Sequence, residues 1–199
     1  MHKGRLEAFS DGVVAILITI MVLELKVPHE PTLAAMRPLV PTLLFYAMSF
    51  VFLGIYWSNH HHMFQAVRHV NGAVLWANLH LMFWLSLIPF ATSWMGENAT
   101  APIPVALYGG LLCLCGLAYY IMARLLVRIH GAESAIARAI GNDFKGRLSL
   151  VIYLASIPLA FVATWISCAC FVAVAIMWLV PDRRIERTLH ESHGGASDA

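Results

Sequence analysis

The sequence predicts an all-α membrane protein with six transmembrane helices, and two observations carry this prediction. First, 60% of the 199 residues are hydrophobic and only 12% are charged, whereas soluble domains have roughly 45–50% apolar and about 25% charged residues. Second, the apolar residues form runs of the length that a membrane-spanning helix needs, which is about 17–25 residues. The runs are 7–27, 39–59, 73–95, 103–127, 148–165 and 167–180.

The runs also predict the domain organisation of the chain. The last two are short and adjoin each other, so the residues around Ser167 must form a tight turn. The polar segment 129–147 is long enough for a short surface helix. We expect residues 1–181 to form one transmembrane domain, and residues 182–199 to form a disordered, polar cytoplasmic tail because they are rich in Gly, Ser and charged residues.

The basic residues predict how the helices are oriented. With six spans and a cytoplasmic N-terminus, eleven of the 13 Lys and Arg residues lie on the cytoplasmic side, and only Lys26 and Arg37 lie outside. Loops on the cytoplasmic side of membrane proteins carry this excess of basic residues. Both termini are therefore predicted to be cytoplasmic. The net charge of +2 is too small, and the basic residues too scattered, for a nucleic-acid partner.

The first helix carries a hydroxyl within an otherwise apolar run, EAFSDGVVAILITIMVLEL. At 3.6 residues per turn, Gly12, Ile16, Thr19 and Leu23 share one stripe, and Ile20 lies beside it. Thr hydroxyls in membrane helices often bond back to the carbonyl four residues earlier and simply pack. The residues alone favour this reading for Thr19, and leave a functional role as the alternative.

Charged residues in the first turns of this helix need partners elsewhere. Glu7 and Asp11 are four residues apart, so their like charges repel. Arg5 cannot pair with Asp11 on the same helix, because the six-residue spacing places the two side chains about 240° apart around the axis. Their partners are expected on other helices. Asp11 is either a functional ionisable group, as in a proton-coupled transporter, or an ordinary interfacial residue.

Histidines near the second and third spans suggest an enzyme as a rival function. A membrane-embedded enzyme would use His60, His61 and His62, with His69 and His80, as metal or haem ligands. Three successive helical residues point in three directions, however, and so cannot all bind one metal. The sequence also lacks GxxxxGK[ST], HExxH and GxSxG motifs. We therefore favour polar interfacial side chains, no enzyme activity and no cofactor.

The third span combines a buried amide with a helix breaker. Asn78 needs a hydrogen-bonding partner, for which a neighbouring helix is the simplest source. Pro89 lacks a backbone N–H and should kink the helix around Leu85.

The run Arg5–Gly12, RLEAFSDG, resembles the RxxxFSDG signature that opens the pore helix of the transmembrane protein 175 family, whose animal members are lysosomal potassium channels. The similarity continues through VVAILIT and LELKVP of the first span. It includes the Trp, Asn-His-His and Phe of WSNHHHMF in the second span, and Asn78 with PFAT in the third. It covers most of residues 5–95.

This resemblance implies a channel without the pore loop of ordinary potassium channels. Prokaryotic members have one six-span repeat per chain and assemble as tetramers, so the resemblance implies a homotetramer with four first helices around a central pore. We expect a passive, potassium-preferring cation channel in a prokaryotic plasma membrane, with potassium ions and the lipid bilayer as partners and no cofactor beyond the permeant ion.

The resemblance also implies roles for individual residues. An apolar constriction, or hydrophobic gate, lies seven residues after the signature Phe, and a polar ring follows three residues later. Those positions are Ile16 and Thr19, and Ile20 and Leu23 would line the pore with them. The signature residues would tie the cytoplasmic helix ends together, and we expect Asn59, His60 or Asn78 as their partners. The signature residues are Arg5, Phe9, Ser10, Asp11 and Gly12.

Overall fold

A computed structural model describes residues 3–141 and 143–179, and all the regular secondary structure in this part of the chain is helical. The predicted tail 182–199 lies outside the described residues. The helices are α1 (Gly4–Leu23), α2 (Leu33–Met36), α3 (Val40–Gln65), α4 (Gly72–Ser86), α5 (Ile88–Glu97), α6 (Pro102–His130), α7 (Ala135–Ile140), α8 (Phe144–Val162) and α9 (Thr164–Leu179), with a 3-10 turn at Arg37–Leu39.

Among the described residues, five segments are long and apolar enough to cross a membrane: α1, α2 through α3, α4 with α5, α6, and α8. Helix α9 is apolar but has 16 residues within the described part of the chain. The all-α membrane fold is thereby confirmed, while the count of six spans stays a prediction.

The helix boundaries differ from the predicted ones by a few residues, and two of the differences have a clear local reason. The second span was expected to end at residue 59, but α3 continues to Gln65 because the polar run SNHHHMFQ contains no helix breaker. The turn expected at Ser167 lies instead at Ala163, whose backbone is extended, and Ser167 is inside α9. Hydropathy is continuous across this region, so it could not place the turn.

The helix break near Pro89 falls at Leu87, two residues after the position predicted for the kink. Pro89 occupies the second position of α5, where its missing N–H costs nothing because the first turn of a helix has no partner for it. The chain therefore crosses as two stacked helices, α4 and α5, joined at a single residue.

The segment 129–147 contains the expected short helix, α7. The Ser134 Oγ caps it by accepting from the Ala137 N–H at 3.3 Å. It ends at Gly141, whose φ of +51° suits a residue without a side chain.

Helix α6 lies at the centre of the core, packing mainly against α8, α4 and α5. A side chain at Gly109 would place its Cβ 2.6 Å from the Ser156 Oγ and 3.2 Å from the Phe171 ring. Glycine therefore allows α6 to approach α8 and α9 closely. On another side, the Ser49 Oγ lies 2.7 Å from the Thr92 Oγ1 and 2.8 Å from the Tyr108 Oη, which joins α3, α5 and α6.

Candidate pore helix and its anchoring network

Helix α1 has one buried face and one exposed face. It packs mainly against α3, α4 and α5. The buried face consists of Leu6, Ser10, Val14, Leu17 and Met21. The opposite face is left uncovered by the other described residues, and includes Arg5, Phe9, Gly12, Ile16, Thr19, Ile20 and Leu23.

The exposed face contains every residue that the sequence predicts to line a pore. Ile16 is 59% exposed and Leu23 is 76% exposed, although both are large and apolar. Thr19 and Ile20 are exposed beside them. A side chain at Gly12 would meet nothing within 4 Å, so this position also faces open space.

Thr19 makes the local hydrogen bond that the sequence favoured. Its Oγ1 donates to the Ala15 carbonyl at 2.9 Å. The side chain nevertheless lies on the exposed face. Its single hydrogen is engaged with the backbone, and the lone pairs of its oxygen remain available.

A buried polar network joins α1 to α3 and α4. Ser10 Oγ donates to the Leu6 carbonyl at 2.9 Å and accepts from Asn78 Nδ2, also at 2.9 Å. His60 Nε2 lies 2.8 Å from Asn78 Oδ1, and because an amide oxygen only accepts, His60 is the donor. Ser10, Asn78 and His60 are all buried. Each of these side chains therefore has a hydrogen-bonding partner, which avoids the free-energy cost of burying an unpaired polar group.

Two further contacts tie α1 to the end of α3. The Trp57 Nε1 donates to Asp11 Oδ1 at 2.9 Å, and the Lys3 Nζ donates to the Phe64 carbonyl at 2.7 Å. Sequence reasoning missed Trp57 as the partner of Asp11. The sequence did contain an indication of this pair, since Trp57 belongs to WSNHHHMF and an indole N–H can only donate a hydrogen bond.

Four residues expected in the network lie elsewhere, and two of them, Phe9 and Gly12, are on the exposed face of α1. Asn59 turns away from α1: its Nδ2 donates to the Ile55 carbonyl at 2.9 Å, and its own carbonyl accepts from the Tyr119 Oη of α6 at 3.3 Å. Arg5 makes no hydrogen bond or ion pair with any described residue of the same chain. The reason is helical phase, because Arg5 lies three full turns before Ile16 and shares its exposed face.

The histidines of the rival enzyme hypothesis are engaged in separate contacts. His61 Nε2 lies 2.8 Å from the Gln65 Nε2, and His80 accepts from the Trp84 Nε1 at 2.8 Å. His69 packs on the His130 ring, with centroids 4.7 Å apart. In the described ranges, three or more metal-ligating side chains do not gather at any one point.

The helical fold with several apolar spans defines a multi-pass membrane protein, and comparison with known proteins specifies its family. Residues 5–89 match the family described as "Endosomal/lysosomal potassium channel TMEM175". A protein of Chryseobacterium sp. (strain P1-3) named as a potassium channel is 50% identical over 192 residues, which are 96% of this chain and 100% of that protein. The chain belongs to the TMEM175 family, whose members are ion channels and not enzymes.

A second relative and a solved structure agree with this assignment. A protein of Chamaesiphon minutus, also named as a potassium channel, is 30% identical over 189 residues, covering 86% of this chain and 91% of the relative. The crystal structure of a "lysosomal potassium-selective channel TMEM175 homolog" from Chamaesiphon minutus superposes with a TM-score of 0.78 at 28% identity. The match covers 89% of this chain and 96% of that one.

Proposed function

We propose that this chain is the subunit of a passive, potassium-preferring cation channel whose pore is lined by α1. The observation that carries the proposal is the uncovered face of α1, which combines the apolar Ile16 and Leu23 with the hydroxyl of Thr19. Relatives named as potassium channels support potassium as the permeant ion.

The proposed assembly is a homotetramer. One copy of α1 cannot enclose a pore, so several copies must surround a common axis in closed symmetry. Four copies are proposed from the resemblance to single-repeat members of the family. The anchoring network would then hold each α1 against its own subunit through its buried face, leaving the exposed face for the axis.

Ile16 and Thr19 would play different physical roles in this pore. Four Ile16 side chains form an apolar ring, which blocks ions because water leaves a narrow apolar constriction. Four Thr19 hydroxyls, three residues further along, offer oxygens that partly replace the water around a cation. Such a ring selects less sharply than the stacked carbonyls of a pore-loop filter.

We propose a prokaryotic plasma membrane as the location, with both termini in the cytoplasm. Two contacts between helix ends agree with this topology. Lys26 and Glu97, both placed outside, form an ion pair at 2.5 Å, and Lys3 and Phe64, both placed inside, form a hydrogen bond. The hydrogen bond and charge of Glu97 raise the pKa of Lys26.

Flux through the purified protein in liposomes tests this function. With a potassium gradient imposed, we expect potassium to move down its own gradient, faster than sodium under a matched sodium gradient, and without any proton gradient. Liposomes lacking the protein are the control. Absence of flux would refute the channel, and uptake that requires a proton gradient would favour the transporter alternative that uses Asp11.

A further inference from the structure

Helix α6 carries an outward stripe that ends in two arginines. Its apolar part is exposed along the helix and consists of Leu107, Leu114, Leu117 and Ile121. Arg124 and Arg128 continue the same stripe, because the spacings of three, four and seven residues keep one helical face. The described helices leave this face of α6 exposed, so in a bilayer it is accessible to lipid.

The two guanidinium groups are available to a ligand. Both arginines are exposed, and neither forms a hydrogen bond or ion pair with another residue in the part of the chain that the structure describes. The Arg124 guanidinium carbon lies 5.8 Å from the centroid of the Tyr120 ring, which holds it against the helix. Arg128 follows one turn later, about 6 Å along the axis.

The arginine end of the stripe lies near one carboxylate, that of Asp143. Asp143, the N-cap residue of α8, lies close enough to Arg124 and Arg147 for both to favour its ionised form, although burial raises its pKa overall. Asp143 also accepts from the Gly146 N–H at 3.2 Å, so its carboxylate is already engaged at the start of α8. Asp143 is therefore engaged by its own helix as well as by Arg124, and it does not hold either guanidinium of the stripe in an ion pair.

We propose that Arg124 and Arg128 bind the phosphate of an anionic phospholipid, whose acyl chains lie along Leu114, Leu117 and Ile121. Guanidinium groups match phosphate oxygens with paired hydrogen bonds. An aromatic residue such as Tyr120 is favoured at the boundary between headgroups and hydrocarbon. The site lies in the cytoplasmic leaflet if the proposed topology holds. It does not depend on ion conduction.

Native mass spectrometry of the detergent-purified protein tests the site. Dioleoylphosphatidylglycerol is titrated against dioleoylphosphatidylcholine, and the lipid adducts are counted. We expect the wild-type protein to prefer phosphatidylglycerol. The Arg124→Gln/Arg128→Gln variant should bind this lipid about fivefold more weakly for each arginine removed. The Arg124→Lys/Arg128→Lys variant should fall between, because it keeps the charge and loses the paired hydrogen bonds.

The matched control removes the same charge at exposed arginines elsewhere. Arg37→Gln/Arg68→Gln should keep the wild-type preference. Size-exclusion profiles in detergent show whether each variant remains folded. Wild-type binding by Arg124→Gln/Arg128→Gln would overturn the proposal. Equal weakening in the Arg37→Gln/Arg68→Gln control would also overturn it, since the attraction would then depend on net charge and not on this site.

Discussion

Ile16 is the residue whose replacement should change conduction most. If four copies form the apolar ring, Ile16→Asn should let water persist there and raise conductance to several cations several-fold. Currents or liposome fluxes measure this. Ile176→Asn is the matched control, because Ile176 is 57% exposed, close to the 59% of Ile16, but lies on α9. Unchanged conductance in Ile16→Asn would place the constriction elsewhere.

Thr19 should affect the choice of ion and not the width of the pore. Its hydrogen is engaged with Ala15, so in the proposed ring it presents oxygen lone pairs to a passing cation. Thr19→Val keeps the shape and removes the oxygen, and should weaken the preference for potassium over sodium or reduce potassium flux. Reversal potentials under potassium and sodium gradients measure this preference. Thr19→Ser, which keeps the hydroxyl, should behave as the wild type.

Wild-type reversal potentials and potassium flux in Thr19→Val would mean that the hydroxyl serves only to bond back to the helix. The same measurements on Ile16→Asn then decide between a pore with a different selective site and a pore that does not involve α1.

At the scale of helices, Asn78 should contribute more to stability than Asn59, the other asparagine that the sequence suggested for the network. Asn78→Leu removes the partner of both Ser10 and His60, and leaves the buried His60 unpaired. We expect the free energy of unfolding to fall by about 1–3 kcal/mol, measured in detergent by chemical denaturation. Asn59→Leu is the control and should cost less, because among the described residues the Asn59 side chain bonds to its own helix, at the Ile55 carbonyl.

An equal loss of stability in both variants would mean that the network does not anchor α1. In that case, the apolar contacts of the buried face, including Leu17 and Met21, would position the helix by themselves.

Hydropathy predicted the helices well, because membrane-spanning helices are long and apolar and are shielded from water. Hydropathy could not predict features that depend on a single residue, such as the position of the turn at Ala163 or the hydrogen-bonding partner of Asp11. The sequence placed Ser10, His60 and Asn78 as possible partners, and the structure brings these three together. The prediction from the sequence misplaced Asn59. Adjacent residues on a helix point about 100° apart, and the sequence pattern does not show which of them faces α1.

At the scale of the whole molecule, the predicted topology can be measured with reporter fusions. Fusions at Arg187 and at Glu97 should report opposite sides of the membrane, because the six-span arrangement places eleven of the 13 basic residues in the cytoplasm. A fusion at Phe64 serves as the control, and should report the same side as Arg187. Agreement between Arg187 and Glu97 would exclude six spans.

Assembly gives a second test at this scale. Native mass measurement or crosslinking in detergent should show tetramers. Arg5→Ala should lower the tetramer fraction and leave the unfolding of the single subunit unchanged, because Arg5 lies on the exposed face of α1 and has no hydrogen-bonding or ion-pair partner among the described residues of its own chain. Asp11→Ala should instead destabilise the subunit, since it removes the acceptor of Trp57. A conducting monomer would contradict the assembly.

The uncovered face of α1 also has a consequence for how the protein is made. In water, an exposed stripe of Ile16, Ile20 and Leu23 would force subunits together, but lipid tails are as apolar as these side chains. A newly inserted subunit can therefore remain alone in the bilayer. Association becomes a separate second step, driven by close packing and polar contacts, and its extent depends on the ratio of protein to lipid.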